Sequence, residues 1–218
     1  MATTPQLQAI EQQLACPQGE QGLDIADMMH ATNINMTLNG WQCMRLAPNG
    51  RVLELGHGNA AHVTPLLKKR SDIHYTGLEI SELMCEQAHL LNQEMVNHYR
   101  ATFWHYDGQY IPSFIQAFDG ILSVNTIYFW DQPQFLLLQL KQQLSALGRL
   151  ALVYMDPEFL QTLPFVGHQF KPYAPNKLEA LLTQTGFQNI TTKSFHDEVT
   201  RKDQSVATRL FHVTTAQR

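Results

Sequence analysis

A strand–loop–helix unit flanked by two acidic residues constrains the fold of this chain more than any other stretch. Residues 51–55 are predicted to form a short buried strand, which stops at the Gly-His-Gly loop 56–58 before a helix. Glu54 lies two places before the loop, and Glu79 ends the next apolar run, 21 residues after the second loop glycine. Glycines let a ligand approach the backbone, and an acid at a strand end accepts ribose hydroxyls. The pattern predicts a nucleoside-binding site.

The loop alone is compatible with two ligands. The stretch GHGNAA satisfies the loose G-x-G-x-x-G/A pattern of dinucleotide-binding folds, so NAD remains open from the loop. Glu54 favours a different ligand, because a carboxylate within ~4 Å of a pyrophosphate charge would cost at least ~1 kcal/mol even in water. The same carboxylate would attract the ammonium of a methionine group.

The E-x-G-x-G pattern with its distal acid resembles motif I and its partner in class I S-adenosylmethionine (SAM)-dependent methyltransferases. The resemblance is to small stand-alone members and runs from about Arg51 to the C-terminus, with Ala60 in place of a third glycine. It implies SAM as the cofactor, held mainly through strand ends. The residues so assigned to cofactor binding are Glu54, Gly56, His57, Gly58, Glu79, Ile80, Asp107, Gly108 and Asn125.

Three of these assignments keep a structural alternative. Glu79, expected on the ribose, could be a surface carboxylate at a strand end. Asp107, expected on the adenine amino group, precedes Gly108, so the pair could be only a tight turn. The side chain of His57 could line the site, but we expect it to face solvent.

From residue 51 to the last helix, the chain alternates strand and helix, which predicts a parallel sheet with helices on both faces. Two strands, 187–195 and 204–215, then follow with only the charged loop HDEVTRKD between them. Parallel neighbours need a crossover of a dozen or more residues, so these strands form an antiparallel hairpin. The predicted α/β fold is a Rossmann-like, seven-stranded, mostly parallel sheet with a C-terminal hairpin. A dehydrogenase half would instead continue strand–helix–strand, and the methyltransferase superfamily has the hairpin.

The first 50 residues contain no strand candidate and are predicted to be helical. We expect them to cover a SAM-binding core, residues 51–218, within a single domain. Around Met28–Met36 a plain cover over the sheet edge and a lid over the substrate remain equally open, since flexible methionines can shape an apolar pocket. Met29 is therefore a candidate substrate contact.

The stretch after the fourth strand, Asn125 to Asp131, is the best candidate for acceptor binding. Asn125 and Tyr128 have the spacing of the N/D-P-P-Y motif of amino-group methyltransferases, but both prolines are absent, which argues against an amide or base-nitrogen acceptor. Tyr128 and Trp130 could instead form an aromatic wall for an aromatic or cationic acceptor.

Methyl transfer from a sulfonium needs mainly positioning at ~3–3.5 Å, so the lack of a triad does not argue against an enzyme. No catalytic residue is identified; His30, Tyr128 and His168 are weak candidates, and a surface or packing role is the favoured alternative for both histidines. The insert 156–172 is long and rich in Phe and Pro, which is typical of a binding loop.

Composition narrows the class of partner. A net charge of −4 argues against a broad phosphate-binding face, so we expect no nucleic acid substrate. The three cysteines and ten histidines fit no metal-ligand spacing, and no apolar run of ~18 residues or signal peptide is present, so we expect no metal, no membrane span and a cytoplasmic location. The expected partner is a small-molecule methyl acceptor, with homodimerisation left open.

The sequence thus predicts a SAM-dependent methyltransferase acting on oxygen, nitrogen or carbon of a small molecule. A SAM-binding regulator or inactive homologue is the main alternative, and an NAD-dependent oxidoreductase is a weaker one.

Overall fold

Apolar runs bounded by turns form the sheet at the centre of the protein. A computed structural model describes residues 4–166, 170–200 and 205–218. Its seven strands lie in the order β3-β2-β1-β4-β5-β7-β6; β1 to β5 pair in parallel, and β7 runs antiparallel to both of its neighbours. The strands are β1 (Arg51–Leu55), β2 (His74–Glu79), β3 (Ala101–His105), β4 (Phe118–Val124), β5 (Leu144–Met155), β6 (Gln188–Thr200) and β7 (Val206–Gln217).

Helices cover both faces of this sheet. Each face has its own apolar core, one packed under α6 and α8 and the other under α2 to α5. The predicted α/β fold and its C-terminal hairpin are confirmed. The helices are α1 (Thr4–Ala15), α2 (Gly19–Met44), α3 (Val63–Lys69), α4 (Glu82–Leu91), α5 (Gln93–Asn97), α6 (Pro133–Gln143), α7 (Pro157–Gln161) and α8 (Pro175–Gln184), with a 3₁₀ turn at Ile127–Phe129.

The long helix α2 lies directly on the sheet. Gly40 makes this close approach possible, because a Cβ there would lie 2.6 Å from Val153 and 2.7 Å from Leu122. The N-terminal half of α2 lies beside the carboxyl ends of the strands, where residues 26–37 share a cavity with the strand ends. The prediction of two helices and no strand before residue 51 agrees with residues 4–50.

Two strands are longer than their sequence patterns predicted. Residues 196–200, predicted as loop, continue β6 and pair with residues 206–210 of β7, while 201–204 lie outside the described residues. This part of β6 is a polar edge strand, in which His196, Asp197 and Glu198 give no apolar alternation. β5 begins at Leu144 rather than at the predicted Arg149, with a register shift between its first pairing and the rest.

Candidate functional site

A cavity opens at the carboxyl ends of the parallel strands. It lies where β1 and β4 are neighbours, the point at which strand order reverses and ligands bind in open α/β sheets. Its volume is about 570 Å³, within the range of small-molecule sites. Ends of β1, β2 and β4 form its floor, and α1 and α2 cover it.

Glu79, at the end of β2, organises one end of the floor. Its buried carboxylate accepts hydrogen bonds from the backbone N–H groups of Gly58 (2.9 Å), Ile80 (2.8 Å) and Ser81 (3.0 Å). Burial raises the pKa of the Glu79 carboxyl, and these three bonds act against that rise. A carboxylate has about four acceptor positions, so one remains for a ligand hydroxyl. The surface-carboxylate alternative for Glu79 is therefore excluded.

Glu54, near the end of the adjacent strand β1, is also buried and lines the cavity. Its Oε2 accepts hydrogen bonds from His62 Nε2 (2.9 Å) and from the Tyr75 hydroxyl (2.8 Å). Burial alone would raise the pKa of Glu54, but the charge and hydrogen bond of His62 and the hydrogen bond of Tyr75 lower it below its usual value. Glu54 is thus an anchored anion.

The glycine loop is held by internal hydrogen bonds. Gly56 N donates to Leu78 O (2.8 Å) and Gly58 N donates to Glu79, so neither N–H points at a ligand. Both glycines have positive φ (70° and 59°), the region that glycine adopts without strain. With its glycine donors occupied and Glu54 beside it, this loop is a poor pyrophosphate cradle, which argues against NAD.

His57 departs from its predicted orientation. Its ring is buried rather than solvent-facing, and it packs over Gly77 and edge-on against Phe103. Only glycine fits at position 77, because a Cβ there would lie 2.4 Å from the His57 ring. Burial lowers the pKa of His57 to about 4, so the ring is neutral at physiological pH.

Asp107 and Gly108 follow β3 at the rim of the cavity. Asp107 Oδ1 accepts the backbone N–H groups of Gln109 and Tyr110 (both 2.8 Å), which lowers the pKa of its exposed carboxyl. The predicted tight turn is therefore present, and Asp107 also lines the cavity. Ile80 lies beside Gly108 and also lines the cavity.

Asn125 follows β4 with a left-handed φ of 57° and lines the cavity. Its Oδ1 accepts a hydrogen bond from the Tyr128 hydroxyl (3.0 Å), and its Nδ2 lies 3.4 Å from Met36 Sδ on α2.

Tyr128 does not lie where the aromatic-wall interpretation requires. Its side chain is 0% exposed in the core, and its hydroxyl also accepts the backbone N–H of Met155. Tyr128 lies in the 3₁₀ turn with its ring in the core, and it contacts Asn125 through its hydroxyl from the core side rather than from the cavity. Trp130 is nearly buried but does line the cavity, as predicted, together with Phe129.

The cover over the floor comes from α1 and α2. Met29 and His30 both line the cavity. The His30 ring stacks on that of His62 with centroids 6.3 Å apart, and burial and His62 together lower the pKa of His30. His168, the remaining catalytic candidate, lies outside the described residues.

Several site residues were missed by the sequence analysis. His62 and Tyr75 hold Glu54, and Asn59 joins the glycine loop to α2 through Asp27 (3.0 Å). No fixed spacing signals such contacts. The one usable signal was that a buried carboxylate such as Glu54 needs hydrogen-bond partners, and that His62 and Tyr75 are polar residues in the neighbouring elements.

Within the described ranges, no group of three or more His, Cys, Asp and Glu side chains is arranged to hold a metal ion. In the same part of the chain, no helix is both long and apolar enough to cross a bilayer.

Comparison with known proteins finds a methyltransferase domain in the chain. A family described as "Methyltransferase domain" matches residues 52–148, the segment that carries Glu54, the glycine loop, Glu79 and Asn125. Residues 52–148 are therefore a methyltransferase domain by similarity, as the resemblance to class I SAM-dependent methyltransferases implies. The predicted superfamily and its cofactor, SAM, are thereby confirmed.

Part of the chain is similar to tRNA-modifying enzymes. A tRNA U34 carboxymethyltransferase of Aliivibrio fischeri is 31% identical over 118 residues, which is 51% of this chain and 36% of the relative. The chain thus spans about a third of the length of the curated relatives it matches.

Two solved methyltransferase structures have the same fold. The plantazolicin methyltransferase BpumL, in complex with SAH, has a TM-score of 0.69 at 16% identity, covering 98% of each chain. A Thermotoga maritima SAM-dependent methyltransferase, described as a possible histamine N-methyltransferase, has a TM-score of 0.64 at 20% identity, covering 91% of this chain and 96% of its own.

Proposed function

We propose that this methyltransferase transfers a methyl group from SAM to a small-molecule acceptor inside the cavity beneath α1 and α2. The observation that carries the proposal is the pair of buried carboxylates, Glu54 and Glu79, at the ends of adjacent parallel strands in one cavity. Glu79 would accept a ribose hydroxyl at its remaining acceptor position, and Glu54 would face the cationic methionine end. Ile80, Asp107 and Gly108 would form the adenine side.

Bound SAM would supply an activated methyl group, whose bond to sulfur breaks as the acceptor's lone pair forms the new bond. The chain's own task is then to hold two molecules in line and to exclude water. Asn125 and Trp130 lie on the floor and Met29 on the cover, so these residues would surround the acceptor. We propose that the helical segment α1–α2 acts as the lid. A proton released by the acceptor could pass to His30, the half-buried imidazole of that lid.

A small molecule is favoured as acceptor over nucleic acid. The described residues that line the cavity include Glu54, Glu79, Asp107 and Asp131, and no lysine or arginine is among them. A phosphate backbone needs cations along its path. The tRNA enzyme from Aliivibrio fischeri aligns with only half of this chain, so its acceptor does not carry over.

A SAM-binding regulator remains the second candidate. The observation in its favour is that Tyr128 lies in the core, so the predicted acceptor wall loses its only acid–base side chain. The two candidates share the cofactor site and differ in turnover.

Incubation with methyl-labelled SAM and a metabolite extract tests the proposal. Label in a small molecule is expected, and label in tRNA would reverse the acceptor class. If SAM binds but no label moves, with Glu79→Ala as the blank, the regulator is the correct function.

A further inference from the structure

The cavity has an unusual shortage of cations for a ligand that carries a carboxylate. The methionine end of SAM has an ammonium and a carboxylate on the same carbon. Among the described lining residues, positive charge can come only from the imidazoles of His30, His57 and His62. The carboxylate therefore has few cationic partners, and each can be examined in turn.

The two glycine N–H groups of the loop are occupied. Gly56 N donates to Leu78 O, Gly58 N to Glu79, and Ala61 N to the Asn59 side chain (3.2 Å). The side-chain amide of Asn59 donates to Asp27. The three backbone groups cannot bind a carboxylate without first losing a hydrogen bond, which costs free energy, whereas the Asn59 amide keeps a second, uncharged N–H.

Two of the three imidazoles are poorly suited. His57 is buried against Gly77, and its pKa near 4 keeps it neutral. His30 lies on α2, half-buried, and its pKa is also lowered. His62 differs, because its Nε2 is paired with the anionic Glu54 while its Nδ1 makes no hydrogen bond with any described residue. An imidazolium at His62 would donate from Nε2 to Glu54 and from Nδ1 to a ligand.

We propose that His62, held by Glu54 and Tyr75, binds the α-carboxylate of the cofactor, while Oε1 of Glu54 receives its ammonium. The inference rests on the proposed function. The ammonium and carboxylate of the ligand are attached to the same carbon. Glu54 and His62 are likewise neighbours, joined by a hydrogen bond of 2.9 Å, so each ligand group can reach its partner at the same time. His62 is thereby a specificity residue for cofactors that keep the whole amino-acid end.

The test is isothermal titration of three probes: S-adenosylhomocysteine, its decarboxylated analogue and 5′-methylthioadenosine. His62→Gln keeps a donor to Glu54 but removes the second ring nitrogen, and His74→Gln, at the exposed start of β2, is the matched control. We expect His62→Gln to weaken S-adenosylhomocysteine about tenfold, as loss of a charged hydrogen bond does, and to leave the other two probes within about twofold.

Equal losses for all three probes, or none for S-adenosylhomocysteine, would overturn the assignment. A wild-type comparison covers the case in which His62→Gln does not fold: the wild type should bind S-adenosylhomocysteine more tightly than its decarboxylated analogue. Tighter binding of the decarboxylated analogue would contradict the role of His62 but not the proposed function. Failure of the wild type to bind any of the probes would instead refute the proposed function, and this inference with it.

Discussion

The two halves of the cavity are built in different ways. In the cofactor half, the carboxylates of Glu54 and Glu79 are buried and each is fixed by two or three hydrogen bonds. In the acceptor half, the side chains of Met29, His30 and Trp130 make no hydrogen bond to any residue that the structure describes. A half with fixed charges suits one invariant ligand, whereas an apolar half under a helical cover suits a ligand that differs between relatives.

The first prediction tests the cofactor half at its most connected residue. Glu79→Ala should weaken SAM binding by tenfold to a hundredfold, since a charged hydrogen bond is worth ~1.5–3 kcal/mol, and should also destabilise the fold because three backbone donors lose their acceptor. Calorimetric titration and urea unfolding measure the two effects. Glu86→Ala, exposed on α4 and away from the cavity lining, is the control and should change both far less. Unchanged SAM affinity in folded Glu79→Ala would remove the ribose assignment.

The second prediction tests the junction of the two halves. Gly56→Ala would place a Cβ 2.3 Å from the Thr126 methyl group, whereas Gly58→Ala, at a similar positive φ, meets nothing within 4 Å. Both variants suffer backbone strain, so their difference isolates the clash, which we expect to cost about 1–3 kcal/mol more in Gly56→Ala. Chemical denaturation gives the comparison. Equal stabilities would mean that the loop after β4 can move away freely.

The third prediction concerns stability against pH. The pKa of His57 is about 4 in the folded protein, below its ordinary value of 6.5, so the unfolded chain binds its proton first as pH falls. Stability should therefore be full above pH ~6.5 and decline towards pH 4, by about 2 kcal/mol between pH 6.5 and 5. In His57→Asn this decline should be smaller. An identical pH slope in both proteins would show that His57 is not responsible.

The smallest effect is expected at Tyr128, on the acceptor side. Tyr128→Phe removes the hydroxyl that joins Asn125 to Met155 N, and should cost about 1–2 kcal/mol of stability because a buried donor and acceptor lose their partner. SAM affinity should change by less than about threefold. A larger loss of affinity than of stability would mean that Asn125 must be held in place for the cofactor to bind.

The same contrast explains what could be read from the sequence. Glu54, the glycine loop and Glu79 were predictable because strand ends, φ requirements and acid spacing fix them locally. The orientation of Tyr128 was not, since it depends on a 3₁₀ turn that directs the ring into the core. Nor could His62 be assigned, because its contact with Glu54 arises only when α3 docks beside β1. The extension of β6 was missed because an exposed edge strand carries no apolar pattern.

A crystal structure with S-adenosylhomocysteine tests the central claim most directly. The nucleoside should lie in the cavity with a ribose hydroxyl on the Glu79 carboxylate and its amino-acid end beside Glu54. Density for the ligand at another place, or tight binding of NADH with none of S-adenosylhomocysteine, would contradict the account.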